Sequence, residues 1–477
     1  MGPLDHNAPI PLYFQLKTLL LEQIVEGRYP PGERLPTEHE LCREFGISRT
    51  PVNRALTELA EEGVVVRRRR RGTFVNPHWT RHLDNGQPVT IIVTEEKWQE
   101  SLQRAAPPDT PLEVTTWVAL PELYRSLTRL VGEGRAPDIA LIDSVWVTEF
   151  AQSGFIVALD EHDPEWFERE FRTDFLPPFV EALSAEGHVY GIPEEGNVSG
   201  VWYRREILDD GNPPRTWEEL REVGTRAACD PRFEVPVAMP GGSRAGETTT
   251  YCLLTLLASN GVEVFGDSMV RLDAGATVDA LRFVRSLVDD GIVPASSVAM
   301  EWDQPIRMLA AGRAAISVGG SYEASILADR LGVDLDELSE HVVFGPFPAG
   351  PQGTPACVLG GMVYVVFRQS RRPERALEVI QHVMRPELLA ERARSQPTIP
   401  PRRSTIELIS GEAGFVTETA EMLETARIRP RTHSYHLVSS QLQIMLEAVI
   451  TGRLGPAAAT ERTAEMIGAI TGYPVAH

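Results

Sequence analysis

Apolar positions along the first 75 residues follow a helical period and then switch to a strand period. Residues 11–26 carry a run of leucines at helical spacing. Thr37 with Glu40 three positions on forms a capping box, so a short helix starts there. Gly46 ends that helix, because a left-handed C-cap suits glycine. Ser48 caps a second helix, in which Val52, Ala55, Leu56 and Leu59 recur at i, i+3, i+4 and i+7 and face inward. Arg49, Thr50, Asn53 and Arg54 are left on its outer face and N-terminal turn. Gly63 stops it, and residues 64–66 and 73–75 read as two short strands around the arginines 67–71 and Gly72. A polar stretch without periodicity, residues 76–88, follows. Beyond it strand-like and helical patterns alternate: a strand over 89–93, a helix over 120–133, a strand over 138–142 and a helix over 147–153. Such alternation predicts parallel α/β layers. No repeat at a solenoid period is present.

The ordered set of upstream helix, short helix, outward-facing helix and basic hairpin resembles the winged-helix domain of the GntR family of bacterial transcription regulators. LPTE, SRTPV, the LxxEG pattern and RGTFV all stand at that family's spacing over residues 12–75. The resemblance implies that the N-terminal turn of the second helix meets bases and phosphates while the hairpin contacts the backbone. The DNA-contacting residues expected on this basis are Thr37, His39, Ser48, Arg49, Thr50, Asn53, Arg54, Arg69, Arg70, Arg71 and Gly72. The family often has arginine where this chain has His39 and Asn53, and glycine where it has Arg70. These departures imply either base readout by Asn53, whose amide suits adenine, or a different operator.

Further along, residues 136–161 (APDIALIDSVWVTEFAQSGFIVALDE), 187–208 (GHVYGIPEEGNVSGVWYRREIL), 213–223 (PPRTWEELREV), 308–326 (MLAAGRAAISVGGSYEASI) and 342–350 (VVFGPFPAG) together resemble the solute-binding proteins of bacterial sugar importers, the maltose-binding class. The implied fold is a two-lobed α/β domain of the periplasmic-binding-protein type II architecture, with a small solute held between the lobes. Domain boundaries are expected at 1–77 for the winged helix (α+β), 78–88 for a linker and 89–477 for the two-lobed effector domain. The first chain crossing between lobes is expected near 193–201, the second shortly after Ser317 and the last near 368–373.

Sugars present apolar C–H faces and polar edges, so aromatic platforms beside amide, carboxylate or guanidinium groups suit them. On the family pattern the ligand residues are Trp146 after the PDI strand, Glu195 and Asn197 at the first crossing, Tyr251 at a helix start, Tyr322 after Gly319–Gly320, and Tyr435. Trp98, in the loop after the first strand, is added. Trp202 and Trp217 read as core and helix-start residues. Position 142 is isoleucine where maltose binders carry a tryptophan platform, which argues against maltodextrin as the ligand.

Charge sharpens this picture. The 477 residues carry a net charge of −21, but residues 1–77 balance 11 basic against 10 acidic side chains. The local arginine cluster must supply the attraction to DNA, while the acidic remainder repels phosphate. Cys42, Cys229, Cys252 and Cys357 lack metal-ligand spacing and read as buried, reduced thiols. The first residues lack a basic segment followed by an apolar core, and no apolar run reaches membrane-spanning length, so a cytoplasmic protein without a membrane partner is expected. Pyridoxal phosphate chemistry, found on some GntR-type chains, needs a lysine; outside the head only Lys97 is present, in no such context. There is no HExxH, no Gly-x-Ser-x-Gly elbow and no phosphate loop, so no enzyme, metal or cofactor is expected. The expectation is a ligand-responsive regulator, a homodimer with operator DNA and a small-molecule effector, a sugar, as partners. The competing reading is a cytoplasmic solute-binding protein whose head makes protein contacts, or a carbohydrate-acting enzyme.

Overall fold

The computed structural model describes residue 4 and residues 11–25, 27–68, 71–77, 87–116, 120–266, 269–272, 274–335, 337–395, 398–412, 414–424 and 426–476. In the head, helices α1 (Leu12–Val25), α2 (Glu38–Phe45) and α3 (Arg49–Glu61) precede strands β1 (Val65–Arg68) and β2 (Gly72–Val75). The capping box at Thr37 and Glu40 forms, and Gly46 closes α2 at φ 63°. Val52, Ala55, Leu56 and Leu59 of α3 are buried, against Leu16 and Leu20 of α1 among others. The hairpin pairs antiparallel with Val65 opposite Val75 and Arg68 opposite Gly72. Gly72 sits at φ +110°, and a Cβ there would lie 2.8 Å from Arg34 Nε, so the wing turns only on glycine.

The chain divides into two compact units. The first comprises residues 1–141, 150–162 and 365–382; the second comprises 142–149, 163–364 and 383–477. The head therefore shares its unit with part of the α/β region. In this first unit Val89–Val93 lies between Leu112–Thr116 and the start of Ile139–Asp143, parallel to both; that last strand passes into the second unit after Leu141. Val89–Val93 and Ile139–Asp143 are buried almost throughout, as strands inside a covered parallel sheet are, whereas Leu112–Thr116 alternates half-buried and exposed positions as an edge strand. Asp138 ties the layer together, its Oδ2 accepting from the backbone and hydroxyl of Thr90 at 2.9 Å and its Oδ1 from Ser370 at 2.6 Å. Among the described residues the head touches this layer through α1 and Glu62. Tyr13 donates to the Gly132 carbonyl at 3.3 Å, the Phe14 ring lies against Gly134, and Glu62 pairs with Arg371 at 3.1 Å.

In the second unit the sheet order is Val235–Ala238, Ala314–Gly320, Asn197–Arg204, Val342–Gly345. Val235–Ala238 runs parallel to its neighbour, and the other pairs are antiparallel. Its largest apolar cluster packs that sheet against Glu247–Ser259, Ala274–Asp289, Tyr435–Ile450 and Pro456–Thr471. Trp202 is buried at 1% exposure, its indole donating to Gly320 O at 3.0 Å, and Trp217 opens the helix Trp217–Ala228 behind the Thr216 cap. Both are core and helix-start residues, as the pattern predicts.

The chain leaves the strand Ile192–Pro193 through Glu194–Gly196 and enters Asn197–Arg204, in the span expected for the first crossing. The second expected crossing is corrected. Ala314–Gly320 stays wholly within the second unit's sheet, and the chain returns through Leu359–Gly360 and Met362–Val366 instead. Residues 365–382 all belong to the first unit, so the last expected crossing, at 368–373, is not one either. Of the cysteines, Cys252 and Cys357 are buried, with burial pushing the Cys357 thiol up to about 12, whereas Cys229 is exposed, against expectation.

Candidate functional site

Two sites carry chemistry, one on the head and one inside the second unit. On the head, the exposed N-terminal turn of α3 presents Arg49, Thr50, Asn53 and Arg54. Ser48 stands at the N-cap without using its hydroxyl for capping, so the hydroxyl and the positive helix end both face outward. Glu38 of α2 organises the surface. It accepts from Arg49 Nε at 2.8 Å and from Arg67 Nη2 at 2.6 Å. Arg67 also donates through Nη1 to Asn53 Oδ1 at 3.1 Å and to Thr57 at 2.7 Å. Asn53 Oδ1 thus already accepts from Arg67 and, at 3.2 Å, from Thr57. Bidentate reading of adenine by Asn53 requires Arg67 to let go. Arg54 is turned back toward α1: its guanidinium lies 3.6 Å over the Tyr13 ring, donates to that hydroxyl at 2.8 Å and pairs with Glu58 at 3.1 Å. Thr37 spends its hydroxyl on the α2 cap, so its part is to place α2. His39 and Arg71 are exposed; Arg69 and Arg70 lie outside the described residues.

In the second unit the antiparallel crossing strands set the second site. Asn197 stands opposite Gly360 and Ile192 opposite Tyr364. A Cβ on Gly361 would come within 2.3 Å of the Glu195 carbonyl, and its φ is +152°, so the two strands meet this closely only over glycine. Above them, Tyr251 donates to Asn197 Oδ1 at 2.9 Å or to Val358 O at 2.8 Å. Glu194 pairs with Arg392 at 2.5 Å, both buried.

The centre of this site is Arg429, whose side chain is 6% exposed. Its Nη2 donates to Asp143 Oδ1 at 2.6 Å and to Ser144 Oγ at 3.1 Å, and its Nη1 donates to Glu247 Oε1 at 3.1 Å. Glu247, at the first turn of Glu247–Ser259, also accepts from Tyr435 at 2.5 Å and from Ser439 at 2.7 Å. Asp143 in turn accepts from the Val145 amide, which fixes the end of the PDI strand. Burial opposes the Arg429 charge, but Asp143, Tyr435 and Glu247 outweigh it and hold the guanidinium firmly protonated. Burial raises Glu247, with Arg429 pulling the other way, and pushes the Tyr251 and Tyr435 hydroxyls well up. At the margin His436 faces Glu149 at 3.3 Å, and that hydrogen bond raises its pKa.

Of the ligand residues expected from sequence, Glu195, Asn197, Tyr251 and Tyr435 lie in this unit, and Trp146 ends the short turn that Asp143 caps. Sequence reasoning missed Asp143, Glu247 and Arg429, whose pairings span 182 to 286 residues. As stacking platforms, four candidates are corrected. Trp98 is fully buried within the helix Glu96–Arg104 rather than in a loop, and it belongs to the first unit. Tyr251 and Tyr435 are 4% and 1% exposed, so their ring faces are covered and their hydroxyls serve the polar network. Trp146 is buried too, at 9%, and the half-buried Tyr322 packs over Gly320. Among the described residues no cluster of three His, Cys, Asp or Glu side chains could hold a metal, and no helix is long and apolar enough to cross a membrane.

Residues 96–388 match the family described as bacterial extracellular solute-binding protein, and residues 12–75 match the bacterial regulatory proteins of the gntR family. A solute-binding protein of an ABC transporter from Thermotoga lettingae, solved with α-D-tagatose, superposes with a TM-score of 0.71 at 22% identity, covering 81% of this chain and all of that one. The maltose-bound MalE3 of T. maritima superposes at 0.69 with 23% identity, over 80% and 99% of the two chains. The head is 48% identical over 69 residues to the histidine utilization repressor of Pseudomonas putida, a match spanning 14% of this chain and 28% of the repressor. Fold and motifs together define a winged-helix regulator head followed by a two-lobed α/β solute-binding domain. The chain belongs to the bacterial extracellular solute-binding protein family and carries a GntR-type DNA-binding domain at its N-terminus.

Proposed function

We propose that the protein is a ligand-responsive transcription regulator, cytoplasmic and homodimeric, that binds operator DNA through its winged helix and a small carbohydrate through its solute-binding domain. It catalyses no reaction and uses no cofactor. The observation that carries this reading is the outward N-terminal turn of α3 beside an arginine-rich wing, on a chain whose remaining length has a solute-receptor fold. One head offers a single recognition helix and wing, and two heads on a near-palindromic site fit the usual geometry of such readers. The sugars bound by the two Thermotoga relatives support a carbohydrate as the ligand class. The contacts of Tyr13, Phe14 and Glu62 with Gly132, Gly134 and Arg371 give the effector layer a hold on the head. A ligand that redistributes the domain's states can act on DNA affinity through that hold, and linkage then makes the coupling reciprocal.

The experiment is fluorescence anisotropy of the full chain on its own promoter and on scrambled DNA, with a panel of mono- and oligosaccharides. Preference for the promoter, changed by at least one sugar, is the expected result. Equal binding to both DNAs in every condition would remove the regulator reading. Promoter preference indifferent to every sugar that raises the melting temperature would remove the coupling.

A further inference from the structure

We infer that the hollow beside Arg429 receives the carboxylate of a sugar acid, a refinement that rests on the carbohydrate-sensor reading above. The hollow has a volume of about 20 Å³. Ser144, Thr148, Arg429 and Arg431 form its polar wall, and Val145 and Leu359 contribute to the apolar one. All of them belong to the second unit.

Three observations converge on an acidic group. First, Arg429 is almost fully buried, and its Nη atoms are engaged by Asp143, Ser144 and Glu247. Its buried Nε–H has no acceptor among the described residues. A buried donor left unmet is costly, the more so when it belongs to a charged group, so an acceptor here is favoured. Second, Arg431 brings another guanidinium to the same wall. Its Nη1 donates to the neutral carbonyls of Glu181 and Ser184 at 2.8 and 3.1 Å. Its nearest carboxylate, Glu181, stands 3.9 Å from Nη2, so the Arg431 charge is only weakly compensated. Third, Ser144 and Thr148 are each 8% exposed, which adds hydroxyls to a wall on which no carboxylate stands. Asp143 and Glu247 already share Arg429, and an incoming carboxylate therefore leans on Arg431 for its counter-charge. An ammonium group meets two guanidiniums there and is rejected. A volume of this size admits one water-sized atom, which suits the leading oxygen of a carboxylate and leaves the sugar ring outside the hollow.

The test is isothermal titration calorimetry and thermal shift on the full chain with D-glucuronate and D-galacturonate, each beside its neutral parent D-glucose or D-galactose. Wild type, Arg431→Gln and Thr148→Val are compared. At least one uronate should bind about tenfold or more tightly than its parent, the scale of one charge-assisted hydrogen bond. That preference should collapse in Arg431→Gln and shrink in Thr148→Val. Equal binding of acid and parent, silence of both uronates, or a preference that survives in Arg431→Gln overturns the inference. Maltose and other neutral saccharides run in parallel separate the two levels. Binding of a neutral sugar with both uronates silent removes the carboxylate and leaves the sensor standing, whereas silence across the whole panel removes both.

Discussion

Disrupting the Asp143–Arg429–Glu247 triad one member at a time should give graded losses of stability, because its members differ in exposure. Arg429 and Asp143 side chains are 6% and 13% exposed, and Glu247 is 32% exposed. Removing one partner of a buried ion pair typically costs about 3–5 kcal/mol, because the other charge stays buried without compensation. Arg429→Met strands two carboxylates and should fall at the upper end, about 4–5 kcal/mol. Asp143→Asn keeps an acceptor for Nη2 and the Val145 amide but loses the charge closest to Arg429, and should cost about 3 kcal/mol. Glu247→Gln leaves Arg429 paired with Asp143, and solvent screens the lost charge, so about 1 kcal/mol is expected. Urea unfolding followed by tryptophan fluorescence reads these as shifts in midpoint at constant slope. A Glu247→Gln loss equal to that of Asp143→Asn would refute the ranking by burial. An Arg429→Met loss below about 1 kcal/mol would show that the triad is solvated rather than buried.

Arg49→Ala should weaken promoter binding by about 1–3 kcal/mol and relax base preference, while Arg71→Ala should weaken binding to all sequences and lower the salt slope by about one; anisotropy titrations over a salt series distinguish the two. Burial pushes the Glu323 carboxyl up to about 8, with the Gly320 amide and Trp202 partly opposing. A folded pKa above the unfolded 4.5 means that its stability contribution is complete below 4.5 and is lost as pH rises through about 8. Glu323→Gln should therefore flatten the fall in melting temperature between pH 6 and pH 9, and a slope equal to that of wild type would contradict the burial argument. Glu62→Gln and Arg371→Gln each remove the head's ion pair with the effector layer. Both should reduce the factor by which ligand changes DNA affinity while leaving ligand affinity in the absence of DNA as it was; an undiminished factor would place the coupling elsewhere.

The head was readable from sequence because each of its decisions is local. Thr37 finds Glu40 three residues away, Gly46 closes the helix that Thr37 opened, and Gly72 turns a hairpin whose two strands are only three residues apart. Val89–Val93 and the strand that ends at Asp143 were readable for the same reason, since an apolar run bounded by polar residues declares itself within a short window; Leu112–Thr116, with Glu113 and two threonines, has no such run and was not read as a strand. The polar site of the second unit was not readable, because its chemistry is made by pairings no window contains. Asp143 reads as the end of an apolar strand, and Arg429 as one of three arginines in RIRPRT, a run that looks like a solvated face. Folding brings them to 2.6 Å and buries both. The same effect inverted the aromatic candidates. A tyrosine near a ligand region suggests a ring offered to a sugar, yet Tyr251 and Tyr435 point their hydroxyls into the network and lose their ring faces to packing. The second crossing, placed shortly after Ser317 on the family resemblance alone, was misplaced, because the strand that ends in Gly319–Gly320 is buried along its whole length and pairs on both sides. Gly361, the glycine the backbone needs for close approach to Glu195, lies beside an equally plain Gly360. Residue type reports which groups are available for recognition. Which face of each group stays open is decided by burial, and burial is set by pairings that no short window of sequence contains.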